Sequence, residues 1–152
     1  MSMNRRTVVK AIAASGALIG LGAMMPRVAV AAWNKDAFNA KSQADALNAL
    51  YGSAAEASAD VMLKAPDIAE NGAVVPVSVE SKLANVESMA IFVEQNPTPL
   101  AAEFGIPAGT AADVSTRVRM GKTTNVTAVV KAGGKTYSAT KEVKVTIGGC
   151  GG

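Results

Sequence analysis

From residue 61 onward, apolar and polar residues alternate along the chain with a period of two. This alternation is typical of β-strands that bury one face and expose the other. It is clearest where three valines alternate with polar residues or proline in 75–79, and again in 143–147. The pattern predicts strands at 60–63, 75–79, 89–93, 114–120, 124–131, 136–140 and 142–147, and a further short strand or extended run at 100–104.

Turn signals and one continuous apolar run complete this prediction. The run 89–93 is nearly all apolar and predicts a central strand buried on both faces. Pro76 favours a sheet edge or a bulge, since proline cannot donate a backbone hydrogen bond. Asn71-Gly72 predicts a turn with positive φ, and 132–135 predicts a hairpin turn. About seven short strands, with turns about every 8–12 residues, predict a mainly β fold, an immunoglobulin-like β-sandwich.

The stretch 33–52 is rich in alanine and lacks the strand pattern. Its apolar residues with helical spacing are Phe38, Leu47, Leu50 and Tyr51. We expect a short arm followed by one helix, with Asp36 as its N-terminal cap and Gly52 closing it in a left-handed conformation.

Residues 1–31 have the three zones of an export signal: a basic start, an apolar stretch and small residues before a cleavage site. Cleavage is predicted after Ala31, with Ala32 as the second choice. Arg5 and Arg6, followed by Val-Val-Lys, favour the twin-arginine pathway, which exports folded proteins, over the general secretory pathway. The apolar stretch is shorter than the about 20 residues of a membrane span. We therefore expect a periplasmic protein without a membrane anchor.

Removal of the signal changes the charge of the chain. The whole chain has 15 Lys+Arg and 12 Asp+Glu. The signal takes away Arg5, Arg6, Lys10 and Arg27 and no acid, leaving 11 basic and 12 acidic residues, a net charge of −1. The basic pI of the precursor therefore gives no reason to expect nucleic-acid or membrane-surface binding.

The absence of histidine excludes several kinds of site. The chain has 0 His and 1 Cys. Cys–His and Ser–His–Asp catalysis are therefore impossible, and the commonest metal ligand is missing. No motif for a cofactor or a metal is present. A single cysteine makes no internal disulfide, so any disulfide joins another molecule.

That cysteine lies in the sequence Gly148-Gly149-Cys150-Gly151-Gly152. Free cysteine is usually buried and inert, but four glycines provide no side chain to bury this one. We interpret 148–152 as a flexible arm that carries a reactive thiol, attached to one domain at 32–147. Within that domain, 33–52 is the predicted arm and helix, and 60–147 is the predicted β-sandwich. Without a histidine beside it, the thiol relies on partners for activation.

Several motifs resemble the SoxY family, the sulfur-carrier subunits of the Sox thiosulfate-oxidation system. The resemblance spans essentially the whole chain, and only Asn4 and Val8 in the export signal depart mildly from the usual pattern. Its segments are Arg5-Arg6 with the export signal, Ala65–Val77, Asn96–Leu100, Ser115–Met120, Val143–Ile147 and the terminal Gly-Gly-Cys-Gly-Gly.

The resemblance implies a non-enzymatic carrier that pairs with a small SoxZ subunit as a heterodimer. It implies that a c-type cytochrome complex joins thiosulfate to Cys150 by oxidation. A hydrolase with a dinuclear manganese site then releases sulfate. A molybdenum-containing sulfur dehydrogenase, in organisms that have it, oxidises the sulfur that remains.

Other functions fit parts of the chain. An exported structural or adhesive immunoglobulin-like module, cross-linked through Cys150, is the main alternative. A ubiquitin-like sulfur carrier would use the terminal Gly151-Gly152, but the export signal argues against it. A thiol reductase would need a second cysteine.

Two loops, two arginines and three methionines outside the arm are interpreted as structural features and not as binding sites. Glu70–Gly72 and Asn96–Pro99 are interpreted as turns in preference to partner-binding loops. Arg117 and Arg119 share one strand face, interpreted as solvated in preference to a docking patch. Core packing, in preference to copper binding, is predicted for Met62, Met89 and Met120.

Overall fold

The computed structural model describes residues 33–146, and strands dominate this part of the chain. The two helices described are α1 (Lys35–Asn39) and α2 (Gln43–Tyr51). The nine strands described are β1 (Glu56–Ala57), β2 (Val61–Lys64), β3 (Ile68–Ala69), β4 (Val75–Ser81), β5 (Val86–Val93), β6 (Leu100–Gly105), β7 (Asp113–Val118), β8 (Thr124–Ala132) and β9 (Lys135–Val145).

The strands form two sheets. The larger sheet has the order β1-β9-β8-β5-β6, and β3 also pairs with β9. The smaller sheet has the order β2-β4-β7. All neighbours are antiparallel except β1 and β3, which each pair in parallel with β9. The mainly β sandwich predicted from the alternation is confirmed.

The main core lies between the two sheets. Alternate residues of β4 are buried, as the valine pattern predicted, and they pack against inward residues of β5, β8 and β9. Burial of this apolar surface is the main stabilising term for such a fold. The large, almost fully buried side chains of this core include Val75, Val77, Val79, Met89, Ile91, Val93, Val126, Val130 and Val143.

A second apolar cluster lies on the other face of the larger sheet. Ala90 and Phe92 of β5 and Val129 of β8 are fully buried there, against partly buried side chains of the two helices. This explains why residues 89–93 of β5 are a continuous apolar run: both faces of this part of the strand are covered, as the sequence predicted.

The helical character predicted within 33–52 is confirmed, but in place of a short arm and one helix the described structure has two helices. Ala40 is extended, with φ −58° and ψ 142°, and breaks the helix. The caps are the side chains of Asn34 and Ser42, each of which accepts a hydrogen bond from a first-turn amide. Asp36 is not a cap; it lies inside the first turn of α1. The prediction for Gly52 is confirmed, with φ 68°.

The end of the sheet differs from the prediction in one respect. The two extended pieces predicted over 136–147 are one strand, β9, which pairs with β8 from Lys135 to Val143. The predicted hairpin is confirmed, with Gly133 and Gly134 at φ 56° and 77°.

Pro76 lies on the middle strand of the smaller sheet, but β2 pairs with β4 only from Ser78 onward. The missing N–H of proline therefore costs no pairing with β2.

Tyr51, at the end of α2, gives this fold a pH dependence in base. Burial raises the pKa of Tyr51 from 10.0 to about 12; the Glu103 carboxylate adds to the rise, and a hydrogen bond from Ser88 opposes it. The unfolded chain ionises first, so stability is full below about pH 10 and falls by about 2–3 kcal/mol toward pH 12. Urea unfolding of wild type and Tyr51→Phe across this range measures the effect. The Phe variant is expected to lose less stability, and equal losses would contradict the prediction.

Candidate functional site

The candidate site begins where β9 ends. The last strand residue is Val145, and Thr146 is the last residue described. The predicted reactive thiol Cys150 and the arm glycines Gly148, Gly149, Gly151 and Gly152 lie outside the described residues, as do Arg5 and Arg6 of the export signal. What the structure describes is therefore the base from which the cysteine-bearing segment leaves the domain.

A short parallel strand, β3, holds one side of this base. Its residues Ile68 and Ala69 lie opposite Lys144 and Val145. The Lys144 amide donates to the Asp67 carbonyl at 3.0 Å, and the Thr146 amide donates to the Ala69 carbonyl at 3.2 Å. The backbone of β9 is therefore hydrogen-bonded up to the last residue described.

A side-chain anchor strengthens this pairing. The Nζ atom of Lys141 donates to the Ala65 carbonyl at 2.6 Å and lies 2.9 Å from Asp67 Oδ1. The Asp67 side chain is 90% exposed, so we assign the ion pair little energy. The lysine mainly positions the connection that leads into β3.

Contacts from other connections complete the base. The hydroxyl oxygen of Thr123 accepts a hydrogen bond from the Val145 amide at 3.0 Å. The Met120 amide donates to the Gly72 carbonyl at 2.7 Å. A Cβ atom added at Gly72 would lie 2.3 Å from the Met120 carbonyl oxygen and 2.9 Å from Val145 Cγ1. Residue 72 must be glycine because the backbone of 120 and the side chain of 145 occupy that space.

This corrects the predicted role of Asn71-Gly72. The pair does form a turn: the Asn71 side chain accepts from the Ala73 amide at 2.9 Å, and its carbonyl accepts from Val74 at 3.3 Å. Neither residue has positive φ, however; among described non-glycine residues only Asn85 does. Close packing explains the glycine, and a side-chain hydrogen bond explains the asparagine.

The Asn96–Pro99 loop is a turn, as predicted, and it also makes a tertiary contact. The Asn96 side-chain amide donates to the Arg119 carbonyl at 2.7 Å, joining the loop after β5 to the end of β7. Arg117 and Arg119 are both exposed, which agrees with their predicted solvated face.

The methionines have the predicted structural role where they are buried. Met89 and Met120 belong to the main core, and Met62 is half-buried. Within residues 33–146, no cluster of three or more His, Cys, Asp or Glu residues forms a candidate metal site. No helix in the same part of the chain is long and apolar enough to cross a membrane.

The fold and this base define a class of protein: an immunoglobulin-like β-sandwich whose anchored last strand leads into a cysteine-bearing segment. A family model described as "Sulfur oxidation protein SoxY" matches residues 47–150, well over half of the chain. The chain therefore belongs to the SoxY family, as its motifs predicted. The matched region begins in α2 and ends at Cys150.

Known structures agree with this assignment. The chain is 45% identical to the sulfur carrier protein SoxY from Chlorobium limicola f thiosulfatophilum, with a TM-score of 0.63, over 68% of this chain and 96% of that one. A superoxide reductase (neelaredoxin) from Ignicoccus hospitalis has a TM-score of 0.51 at 14% identity, over 70% of this chain and 90% of that one. That second likeness shows a shared fold alone. No match was found among curated proteins.

The sequence did not reveal the parts of this base that hold β9. The strand β3 has two residues, too few for any alternation, and Thr123 and Lys141 look like ordinary polar surface residues. The only sequence signal was indirect: 65–77 carried part of the family resemblance, and this segment contains both Asp67 and Gly72.

Proposed function

We propose that this protein is a periplasmic sulfur carrier that holds thiosulfate-derived sulfur covalently on Cys150 and presents it to partner enzymes. The observation that carries the proposal is the match to the sulfur-oxidation family, which extends as far as residue 150. The likeness to a sulfur carrier protein of known structure supports it.

The geometry of the base suits a carrier. Cys150 is four residues beyond Thr146, so a fully extended backbone lets the thiol reach at most about 14 Å from the domain. Glycine on both sides gives the narrowest backbone a chain can offer. A fixed base with a thin, permissive segment allows the thiol to enter a partner's channel while the domain stays outside.

The thiol of Cys150 is the one group of this chain that takes part in the covalent steps, and each step balances in atoms and charge. Loading joins the thiolate to the terminal sulfur of thiosulfate: Cys–S⁻ + S₂O₃²⁻ gives Cys–S–S–SO₃⁻ and two electrons, which the cytochrome partner accepts. Hydrolysis then adds water: Cys–S–S–SO₃⁻ + H₂O gives Cys–S–S⁻, sulfate and two protons. The persulfide stays on Cys150 for the next step.

The partners supply the catalysis. An ordinary cysteine has a pKa of about 8.5 and is mostly protonated at neutral pH. The chain has 0 His to act as a base. We assign thiol activation to the cytochrome complex, hydrolysis to the dimanganese enzyme and sulfane oxidation to a sulfur dehydrogenase where one is present. A SoxZ-like subunit completes the carrier, and Arg5 and Arg6 direct export by the twin-arginine pathway.

Intact-mass measurement of the exported protein tests the proposal. Protein is purified from cells grown with and without thiosulfate, and each sample is measured before and after reduction. Thiosulfonate or persulfide adducts are expected with thiosulfate only, and they should disappear with reductant. Peptide mapping should place them on Cys150.

Two results would overturn the proposal. One is a thiol that stays unmodified in thiosulfate-grown cells. The other is a disulfide-linked product that forms equally without thiosulfate, which is the behaviour expected of a cross-linked structural module.

A further inference from the structure

An open groove lies between the free edges of β6 and β7. Each strand is the last of its sheet, so each has one edge without a strand neighbour among the described residues. The groove has a volume of about 280 Å³, and both strands line it. Its chemistry is set by Asn96, Thr98, Ala101, Ala102, Arg117 and Arg119.

On the opposite side of the larger sheet, short strands cover the outer edge. There, β1 and β3 pair with the outer edge of β9 at both of its ends. Unprotected strand edges tend to pair with other chains, so proteins usually cover them. The uncovered pair of edges at β6 and β7 is therefore a candidate for pairing with another protein.

The charge of the groove identifies the kind of partner. Arg117 lies near the end of β7, and Arg119 follows one residue after the strand ends; both side chains are exposed and line the groove. Neither takes part in an ion pair in residues 33–146, where the three ion pairs all use lysine. No acidic side chain lines the groove. An anionic partner would supply the missing counter-charge.

The dimensions suit an extended backbone. Alternate residues of a strand are about 6.6–6.8 Å apart, so acidic residues at every second position of an extended segment recur at this interval on one face. A strand added to the free edge of β6 would present every second side chain on one face, next to a groove that Arg117 and Arg119 line. Ala101 and Ala102 have small side chains that allow close approach, and the Asn96 bond to the Arg119 carbonyl fixes the mouth of the groove.

We propose that this groove docks an extended acidic segment of a partner protein, which adds to β6 as an edge strand and pairs its carboxylates with Arg117 and Arg119. A second copy of this chain does not fit, because equivalent edges would bring arginines against arginines. The docking surface adjoins the base of the cysteine-bearing segment, since Arg119 directly precedes Met120, but it does not use Cys150 and so goes beyond the proposed carrier function.

A peptide titration tests this docking. The probe is a capped peptide, Thr-Val-Glu-Val-Glu-Val-Thr, titrated into the ¹⁵N-labelled full-length chain carrying Cys150→Ser to prevent disulfides. We expect saturable shifts of β6 and β7 amides and slower hydrogen exchange of outward β6 amides. Affinity should fall at least about tenfold from low to high salt, since exposed charge pairs are screened.

Charge-reversal variants supply the controls. Arg117→Glu/Arg119→Glu is expected to weaken binding at least about tenfold, because like charges then face each other. Lys41→Glu makes the same kind of change on the exposed loop between the helices and is expected to bind normally. A peptide with Lys in place of Glu should not bind. Thermal unfolding checks that each variant is folded.

Three outcomes would overturn the proposal. The first is equal binding by the arginine variant. The second is that the main amide shifts lie away from the groove, outside β6, β7 and the neighbouring lining residues Asn96, Thr98 and Arg119. The third is that sodium sulfate produces the same saturable shifts and the peptide gives no protection of β6 amides, which would indicate a site for small oxyanions only.

Discussion

Cys150→Ser is expected to reduce thiosulfate-dependent sulfate release, measured with the partner enzymes, to the level seen without this protein. A serine hydroxyl forms neither a thiosulfonate nor a persulfide, so no intermediate can be held. The substitution changes no residue of the two apolar clusters described within 33–146, so thermal unfolding of the variant should match wild type. Sulfate release at the wild-type rate would contradict the prediction.

A relocated thiol separates the role of the cysteine from the role of its segment. The double variant Cys150→Ser/Thr146→Cys places one thiol one residue beyond β9, where the backbone is still hydrogen-bonded to Ala69. This thiol should react with a small disulfide reagent, which needs no arm. It should not restore sulfate release, because the partner channel is out of its reach. Restored release would show that the distance from the domain is unimportant.

Gly72→Ala is expected to lower the free energy of unfolding by about 1–3 kcal/mol, the usual cost of overpacking. The added methyl group would lie 2.3 Å from the Met120 carbonyl oxygen, a backbone atom that cannot move without moving the end of β7. It would also meet Val145, where β9 reaches the cysteine-bearing segment. Urea unfolding measures the loss.

Gly121→Ala is the matched control for this effect. It adds the same methyl group one residue beyond Met120, where nothing lies within 4 Å and φ is not positive. Such a surface change should alter stability by no more than about 0.5 kcal/mol. If the two variants unfold at the same urea concentration, the close packing of Gly72 is not a constraint.

The sequence predicted the sandwich well because its strands bury one face or both. Val75, Val77 and Val79 alternate with polar or exposed residues, and 89–93 has no polar residue because both faces are covered. Such patterns reflect burial, which a sequence records directly. The two glycines of the hairpin record a backbone requirement in the same direct way.

The helical region was harder to predict because a few hydrogen bonds decide it. Alanine-rich sequence is compatible with one continuous helix, and nothing in its apolar spacing marks Ala40 as a break. The break becomes favourable because Ser42 caps the second helix, with its hydroxyl accepting from the Asp45 amide at 3.1 Å. Asp36 was an equally acceptable cap by residue type, but Asn34 occupies that position.

The base of the cysteine-bearing segment was invisible to pattern analysis for a related reason. Its hydrogen bonds join Asp67 and Ala69 to residues more than seventy positions later, and they use backbone atoms. Backbone atoms carry no residue-type signal. The position of the thiol, in contrast, could be proposed from sequence because it depends on residue type and neighbours alone.

The strand pairing around β9 has a mechanical consequence. When a partner retains the C-terminal segment and the domain moves away, the pull acts along the axis of β9. Hydrogen bonds between antiparallel strands run perpendicular to that axis, so tension loads the ladder from Lys135 to Val143 in shear, with many bonds sharing the force. The hydrogen bonds between β3 and β9 share the same force. Under traction along this axis, β9 is expected to resist removal from the sheet, because its hydrogen bonds must break together.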